Sequence, residues 1–341
     1  MTKSINKNRY FQLRFAILIL LLKKNKLSFL KIVNAISCYL YYIFKFNNSP
    51  KSPIVINIEL WNECNEACKF CRTVEGQIYD QSGKLQSLPK GVLKFEAAKS
   101  VIAPFKNRLL LAIPYINGEP LISKILIEFL SYCKENSVAT MIASNGIKLD
   151  LNKSQELINN DLDILKIHIS GMTNEIHRIE HTTGDVNKIL NNLRNFQILN
   201  RKFNNKTLLI LDYILYKHNI HQINDVKEFC TKNNILLNIR PGNTDHLTEE
   251  SLQKIKLIPE SRCDWVYTTM AVDWNGNVLP CCDFVTWSDP YTYGNVYSQH
   301  IDDIWQNNKE VKNIRNIHNL KGRKGIETCK NCPKQGLKFK Y

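Results

Sequence analysis

The run Ile54-Val-Ile-Asn-Ile-Glu-Leu60, followed by Trp61-Asn-Glu-Cys64-Asn-Glu-Ala-Cys68-Lys-Phe-Cys71, decides how the rest of the chain is read. Its first part is a strand-like apolar run and its second a C-x3-C-x2-C loop. Three thiolates so closely spaced can ligate three irons of a cubane. The fourth iron, lacking a protein ligand, can then accept nitrogen and oxygen from a cofactor or substrate. A zinc site completed by a distant residue is the alternative, although zinc more often takes paired C-x2-C knuckles.

Downstream, strand-like and helix-like runs alternate about six times over residues 54–245. Leu109–Ile116 ends in Asn117-Gly118-Glu119-Pro120, and Leu121–Asn136 carries apolar residues at helical spacing. Val138–Ala143 ends in Ser144-Asn145-Gly146, and Leu165–Ile169, alternating about Lys166 and His168, ends in Ser170-Gly171. A helix is expected over Asp185–Gln197, then a strand Leu208–Tyr216, a helix His221–Asn233 and a strand Leu236–Arg240. Such alternation predicts a parallel sheet with helices outside, and sites on such sheets lie at the C-terminal ends of strands. The cysteine loop, Asn117–Pro120, Ser144–Gly146, Ser170 and Arg240 all fall at those ends. Glycine permits close backbone approach at Gly118, and Glu119 can accept hydrogen bonds from an ammonium group.

After Thr244 the character changes. Cys263 precedes a strand-like run, Val266–Val272, and Asp273-Trp-Asn-Gly276 forms a hairpin-type turn back to Cys281-Cys282. Cys329-Lys-Asn-Cys332 follows a helix expected over Ile301–Ile317. The hairpin brings Cys263 and Cys281 together and the C-x2-C pair adds two ligands, which makes a closed four-cysteine site. Cys282 is the alternative to Cys281, and a zinc ribbon is the alternative to an iron–sulfur cluster. Cys38, Cys133 and Cys230 lie in helix-like runs and are expected as buried apolar side chains.

The net charge of +15 sits at the two ends. Residues 1–51 hold ten Lys/Arg and no acid, residues 309–341 sum to +8, and residues 52–308 are left with about −3. A nucleic-acid-binding domain would carry a basic stripe across its folded body, so nucleic acid is not an expected partner. The apolar run Phe15–Leu22 is only eight residues long, too short to span a bilayer. Residues 1–50 therefore read either as a lysine-rich amphipathic arm for an anionic membrane surface or as a helix pair covering the main domain.

Taken together, these segments resemble the radical S-adenosylmethionine (SAM) superfamily: the cysteine loop with Phe70 before its third cysteine, Asn117-Gly118-Glu119 for a Gly-Gly-Glu segment, and Ser144-Asn145-Gly146 for a Thr-Asn-Gly turn. The C-terminal part, with Cys263, Gly276 and Cys281 in a C-x9–15-G-x4-C opening, is similar to the twitch/SPASM-type auxiliary domain. The resemblance implies an α/β fold: a partial (β/α)6 TIM-like barrel with a small C-terminal α+β auxiliary iron–sulfur domain and an N-terminal helical extension. It implies three segments: a basic amphipathic extension over 1–50, a radical SAM core over 51–245 and an auxiliary domain over 246–341.

The resemblance also implies cofactors and roles. Cys64, Cys68 and Cys71 would bind a SAM-binding 4Fe–4S cluster, and Cys263, Cys281, Cys329 and Cys332 an auxiliary 4Fe–4S cluster. Phe70, Asn117, Gly118, Glu119, Ser144, Asn145, Ser170 and Arg240 would contact S-adenosylmethionine. Reductive cleavage of S-adenosylmethionine would yield a 5′-deoxyadenosyl radical that abstracts hydrogen from the substrate, with a reductant such as flavodoxin or ferredoxin supplying the electron. The cluster layout is similar to that of 2-deoxy-scyllo-inosamine dehydrogenases, which suggests oxidation of a sugar-like or polyol alcohol. The alternatives are modification of a peptide or protein side chain, and a non-catalytic iron–sulfur or zinc protein docking on membrane or nucleic acid through its basic ends. A cytoplasmic location, peripheral on the membrane if the arm docks there, is the expectation.

Overall fold

In the computed structural model the described residues are 2–69, 71, 78–79, 85–86, 90–242, 260–284, 291–330 and 332. Six parallel strands form the body: β1 (Val55–Ile58), β4 (Leu111–Ile113), β5 (Ala139–Ser144), β6 (Ile164–Ile169), β7 (Leu208–Leu215) and β8 (Leu236–Pro241). A small two-stranded ribbon, β2 (Ile78–Tyr79) with β3 (Leu85–Gln86), lies between the first two. The six pair in chain order, β1-β4-β5-β6-β7-β8, as successive βα units do when each crossover returns beside its predecessor. The sheet stays open, and the architecture is a partial TIM-like barrel.

The faces of its strands that the helices cover are apolar. Helices α3 (Phe95–Ile102), α4 (Leu126–Glu135), α5 (Leu151–Asn159), α7 (Val186–Lys202) and α8 (Ile223–Asn233) lie between successive strands, with the short α6 (Asn174–His177) before α7. Asp150 and Asp185 cap α5 and α7 by accepting from the backbone N–H of Lys153 and Lys188. The outward faces of the strands and the inward stripes of these helices make one core around Ile56, Leu165, Leu193, Leu211 and Phe129.

The C-terminal part continues the same sheet. β9 (Thr269–Val272) pairs parallel with β1, on the side away from β4. β10 (Asn277–Leu279) then runs antiparallel to β9, and β11 (Gly294–Asn295) antiparallel to β10. The strand expected from Val266 begins three residues later, because Trp265–Thr268 forms one helical turn, α9. There the backbone N–H groups of Tyr267 and Thr268 bond back to the Asp264 carbonyl. The single helix expected over Ile301–Ile317 is two, α10 (Ile301–Asn307) and α11 (Lys309–Lys321). Asn308 divides them with an extended backbone, and its side chain caps α11 by accepting from Glu310 N–H.

Two N-terminal helices, α1 (Thr2–Lys23) and α2 (Phe29–Ile43), lie against the N-terminal ends of the strands. Lys24 and Lys26 pair with Asp163, just before β6, at 2.6 and 2.9 Å. Asp163 is fully buried and also accepts from Thr140 N–H. Removing one member of such a pair leaves a buried charge, which costs about 3–5 kcal/mol. Lys31 Nζ donates to the Ser137 carbonyl, and Asn34 Nδ2 to that of Ser52. Among the described residues no helix is long and apolar enough to cross a membrane.

Candidate active site

The cysteine loop leaves the C-terminal end of β1 and is held from two sides. On one, Glu119 N–H donates to the Glu63 carbonyl at 2.8 Å. Gly118 has φ +72°, and a Cβ there would stand 2.6 Å from that same carbonyl oxygen. Only glycine gives the backbone both the conformation and the room. On the other side, Lys69 N–H donates to Glu180 O, Thr182 N–H to Ala67 O, and Cys68 bridges His181. Cys71 N–H turns back onto Cys68 O at 3.0 Å. Burial raises the Cys68 thiol well above the usual thiol range, and its neighbours Glu66, Cys71 and Cys64 add to the rise. The thiolates a cluster needs therefore form against the charge of its iron.

Segments after β4 and β5 complete this end of the barrel. The Glu119 carboxylate is buried and accepts from Leu121 N–H (2.9 Å), Ser144 Oγ (2.7 Å) and Asn145 N–H (2.9 Å). Burial outweighs those bonds and pushes its pKa up to about 7. Asn145 directs its side-chain amide to Asn65 Oδ1 at 3.0 Å and lies 3.9 Å from Cys64 Sγ. Asn117 donates through both its backbone and its side-chain nitrogen to Glu59 Oε1. Glu59 also accepts from Trp274 N–H, and so ties the mouth to the β9–β10 turn; burial raises its pKa to about 7.

Behind the loop lies a buried network that sequence reasoning did not find. His181 Nδ1 is 3.2 Å from Cys68 Sγ and 3.3 Å from Glu66 Oε2, while its Nε2 is 3.0 Å from Ser170 Oγ. Nδ1 thus faces both the thiol and the carboxylate, and Nε2 faces the serine hydroxyl. Ser170 N–H donates to His177 Nδ1, so the His177 proton sits on Nε2, 3.8 Å from Glu66 Oε1. The two imidazoles stack at 4.3 Å. Burial would raise the Glu66 pKa, but its pairing with His177 and His181 holds it at about 2. The one sequence signal for this network was an acid between Cys64 and Cys68.

The lumen of the barrel is polar where strands of this kind are usually apolar. Asp212, in the middle of β7, is fully buried and accepts from Arg240 Nε at 2.7 Å and from the Asn238 side chain. His168 Nε2 lies 3.3 Å from it and Lys166 Nζ 3.6 Å. Burial alone would raise its pKa, yet Arg240, His168 and Lys166 hold the carboxyl well below the usual carboxylate range. Lys166 and His168 project into the lumen because alternate residues of β6 share a face.

The second cysteine group lines a cavity. Cys263, Cys281, Cys329 and Cys332 all face it, together with Trp265, Phe284 and Arg323; Cys282 is not among the lining residues. Cys281 follows β10, and Cys329 sits in a short helical turn, α12 (Glu327–Lys330). Burial raises Cys263 to about 12, and the Arg323 guanidinium opposes that rise. Four thiols around one cavity suit a fully ligated cubane. Three on a loop at the barrel mouth suit one with an open iron.

The structure thus brings Asn117, Gly118, Glu119, Ser144, Asn145 and Ser170 to the same end of the barrel as Cys64, Cys68 and Cys71. Arg240 lies deeper, on Asp212. Phe70 falls outside the described residues.

Comparison with known proteins identifies the class. Residues 58–230 match the radical SAM superfamily and residues 263–333 the SPASM iron–sulfur cluster-binding domain. The chain belongs to the radical SAM superfamily and is an enzyme carrying a SPASM domain; its cofactors are two 4Fe–4S clusters and S-adenosylmethionine. It is 34% identical over 105 residues to an S-adenosylmethionine-dependent nucleotide dehydratase of Lacinutrix mariniflava, covering 31% of this chain and 21% of that protein. A protein of the same name from Flammeovirga pacifica is 31% identical over 94 residues, 28% of this chain and 31% of its own length. The matched stretches thus span less than a third of either relative.

Among solved structures, Streptococcus suis SuiB bound to its precursor peptide SuiA superposes with a TM-score of 0.62 at 14% identity, over 86% of this chain and 73% of that one. BtrN in complex with AdoMet and 2-DOIA superposes at 0.52 and 17% identity, over 83% and 93%. These likenesses are of fold.

Proposed function

We propose that this enzyme takes a hydrogen atom from a carbinol carbon of a small sugar-bearing or polyol substrate held in the barrel lumen. The observation that carries this reading is the cluster of Lys166, His168, Asp212, Asn238 and Arg240 on β6, β7 and β8, in the same sheet whose β1 leads into the cysteine loop. When bound, the SAM-binding cluster and S-adenosylmethionine supply a 5′-deoxyadenosyl radical, and the auxiliary cluster supplies an acceptor for a second electron. Cys64, Cys68 and Cys71 would hold the first cluster, and Cys263, Cys281, Cys329 and Cys332 the second. A carrier such as flavodoxin or ferredoxin would deliver the first electron.

The chain's own residues then bind and orient. Lys166, Arg240 and Asn238 offer hydrogen-bond donors to hydroxyl, phosphate or carboxylate oxygens, and Asp212 accepts from hydroxyls. Lys166 and Arg240 together exceed the charge of Asp212 by one, which favours a substrate carrying an anionic group. The two matched relatives are named for a nucleotide, and nucleotides, being sugar alcohols that carry phosphate, fall within this class. Loss of one hydrogen atom, then one electron and one proton, would leave a ketone. Loss of the hydrogen atom, then of a neighbouring hydroxyl as water with the carbinol proton, would leave an α-keto radical, which one electron from the flavodoxin- or ferredoxin-type carrier and one proton would convert to a dehydrated, deoxy-keto sugar.

The test is isotope transfer. The reconstituted enzyme, with dithionite and S-adenosylmethionine, is offered carbinol-deuterated polyols, sugars and nucleotides beside deuterated peptides. Deuterium should enter 5′-deoxyadenosine from a sugar, polyol or nucleotide carbinol. Transfer from a peptide alone would replace this reading with side-chain modification. Absence of any S-adenosylmethionine cleavage would leave an iron–sulfur protein without radical chemistry.

A further inference from the structure

Helix α2 is amphipathic with its faces reversed. The residues it buries against the barrel are Lys31, Asn34 and Cys38. Phe29, Ile32, Val33, Ile36, Leu40 and Ile43 line the opposite side and face solvent, Phe29 at 77% and Ile36 at 55% exposure. Phe29, Val33, Ile36, Leu40 and Ile43 follow in steps of three or four along one stripe, with Ile32 beside Val33 at its edge. Leu18 and Leu22 on α1 and Phe44 and Phe46 after α2 are also exposed. An apolar helix face normally drives packing onto the core. Here polar side chains that donate to backbone carbonyls do the anchoring, and an apolar surface is left outward, the mark of an interaction or membrane site.

Charge selects the occupant. Residues 1–51 contain ten Lys/Arg and no acidic residue. Lys24, Lys26 and Lys31 are turned inward, while Lys23 at the end of α1, Lys45 just after α2 and Lys51 are exposed. A second copy docked face to face would set two such basic arms against each other. An anionic lipid headgroup layer meets both the lysines and the apolar stripe.

We infer that α1 and α2 are a docking plate by which the enzyme lies on an anionic membrane surface, with the α2 stripe inserted among the acyl chains. The plate sits at the N-terminal ends of the strands, where Lys26 reaches the Val138 carbonyl and Asp163. The cysteine loop sits at their C-terminal ends. At about 3.3 Å per residue the six-residue β6 separates the two by about 20 Å. The barrel mouth therefore opens away from the bilayer, toward soluble substrate and reductant.

The full chain is floated with phosphatidylcholine vesicles that contain phosphatidylglycerol and with pure phosphatidylcholine vesicles. It should rise with the first and much less with the second. Ile36→Asp, at an exposed position where folding is not at stake, should weaken partitioning by about tenfold or more, whereas Ile198→Asp on the outer side of α7 should leave it unchanged. Failure to float with the anionic vesicles would overturn the inference, as would an Ile36→Asp variant that floats like the unaltered chain. A dimer in solution that Ile36→Asp dissolves would assign the face to a second copy instead. Flotation requires neither clusters nor S-adenosylmethionine, so its failure leaves the proposed chemistry standing.

Discussion

The two cysteine sites are built in opposite ways. Cys64, Cys68 and Cys71 lie within eight residues on one loop, and what the fold adds is a seat: Gly118 below it and the Glu180–Thr183 segment beside it. Cys263, Cys281, Cys329 and Cys332 are spread over seventy residues, and only folding makes them neighbours around one cavity. The first site has fewer ligands than a cubane has irons and sits at the end of a polar lumen. The second has a full set and is lined by Trp265 and Phe284. A local motif suits the reactive site because the ligands stay together whatever the substrate does to the barrel mouth.

Substitution should separate the two sites most sharply. A reconstituted chain should carry about eight irons. Cys68→Ala should lose about four of them and abolish formation of 5′-deoxyadenosine. Cys281→Ala should also lose about four irons yet still cleave S-adenosylmethionine, and Cys282→Ala should lose none. Iron content by chromogenic assay and product by chromatography give the answer. Equal iron loss with Cys281→Ala and Cys282→Ala would undo the ligand assignment at the closed site.

The seat of the open site gives a smaller effect. In Gly118→Ala the new methyl would meet the Glu63 carbonyl at 2.6 Å on a left-handed backbone. The apoprotein should lose about 1–3 kcal/mol by urea unfolding, and iron should be lost from the first site while the second keeps its own. If both sites lost iron alike, the glycine would be supporting the whole fold and not the loop.

Glu59 joins the two halves, through Asn117 on one side and Trp274 on the other. Its folded pKa, raised by burial from 4.5 to about 7, makes the protonated form the one that stabilises the fold. That contribution is complete below the unfolded value and is lost as the pH rises through the folded one. The stability of the unaltered apoprotein should therefore decline relative to Glu59→Gln between about pH 5 and pH 8, by on the order of 2 kcal/mol. Parallel pH profiles in urea would show that the carboxyl stays ionised across this range.

The sequence by itself determined the class. Ligand spacing within one loop is a covalent property, so Cys64, Cys68 and Cys71 stay close in any fold. The alternation of apolar strands and amphipathic helices likewise carried the parallel order of the sheet, because each βα unit is local. The end-loaded charge was equally plain. Tertiary structure decided everything that depends on pairing across distance. His181 meets Cys68 from 113 residues away, and Lys26 meets Asp163 across 137. Arg240, which the residue pattern placed beside the cofactor, is drawn onto Asp212 because β7 and β8 lie side by side in the sheet. No spacing rule foretells that the Val266–Val272 run opens with a helical turn before joining β1, or that α2 turns its lysine inward and its isoleucines out. Such choices follow from which surface each segment meets, and that surface exists only once the strands have assembled. The cysteine loop was therefore legible from its own residues, while the lumen below it and the helical plate at the far end of the barrel became visible only in the folded chain.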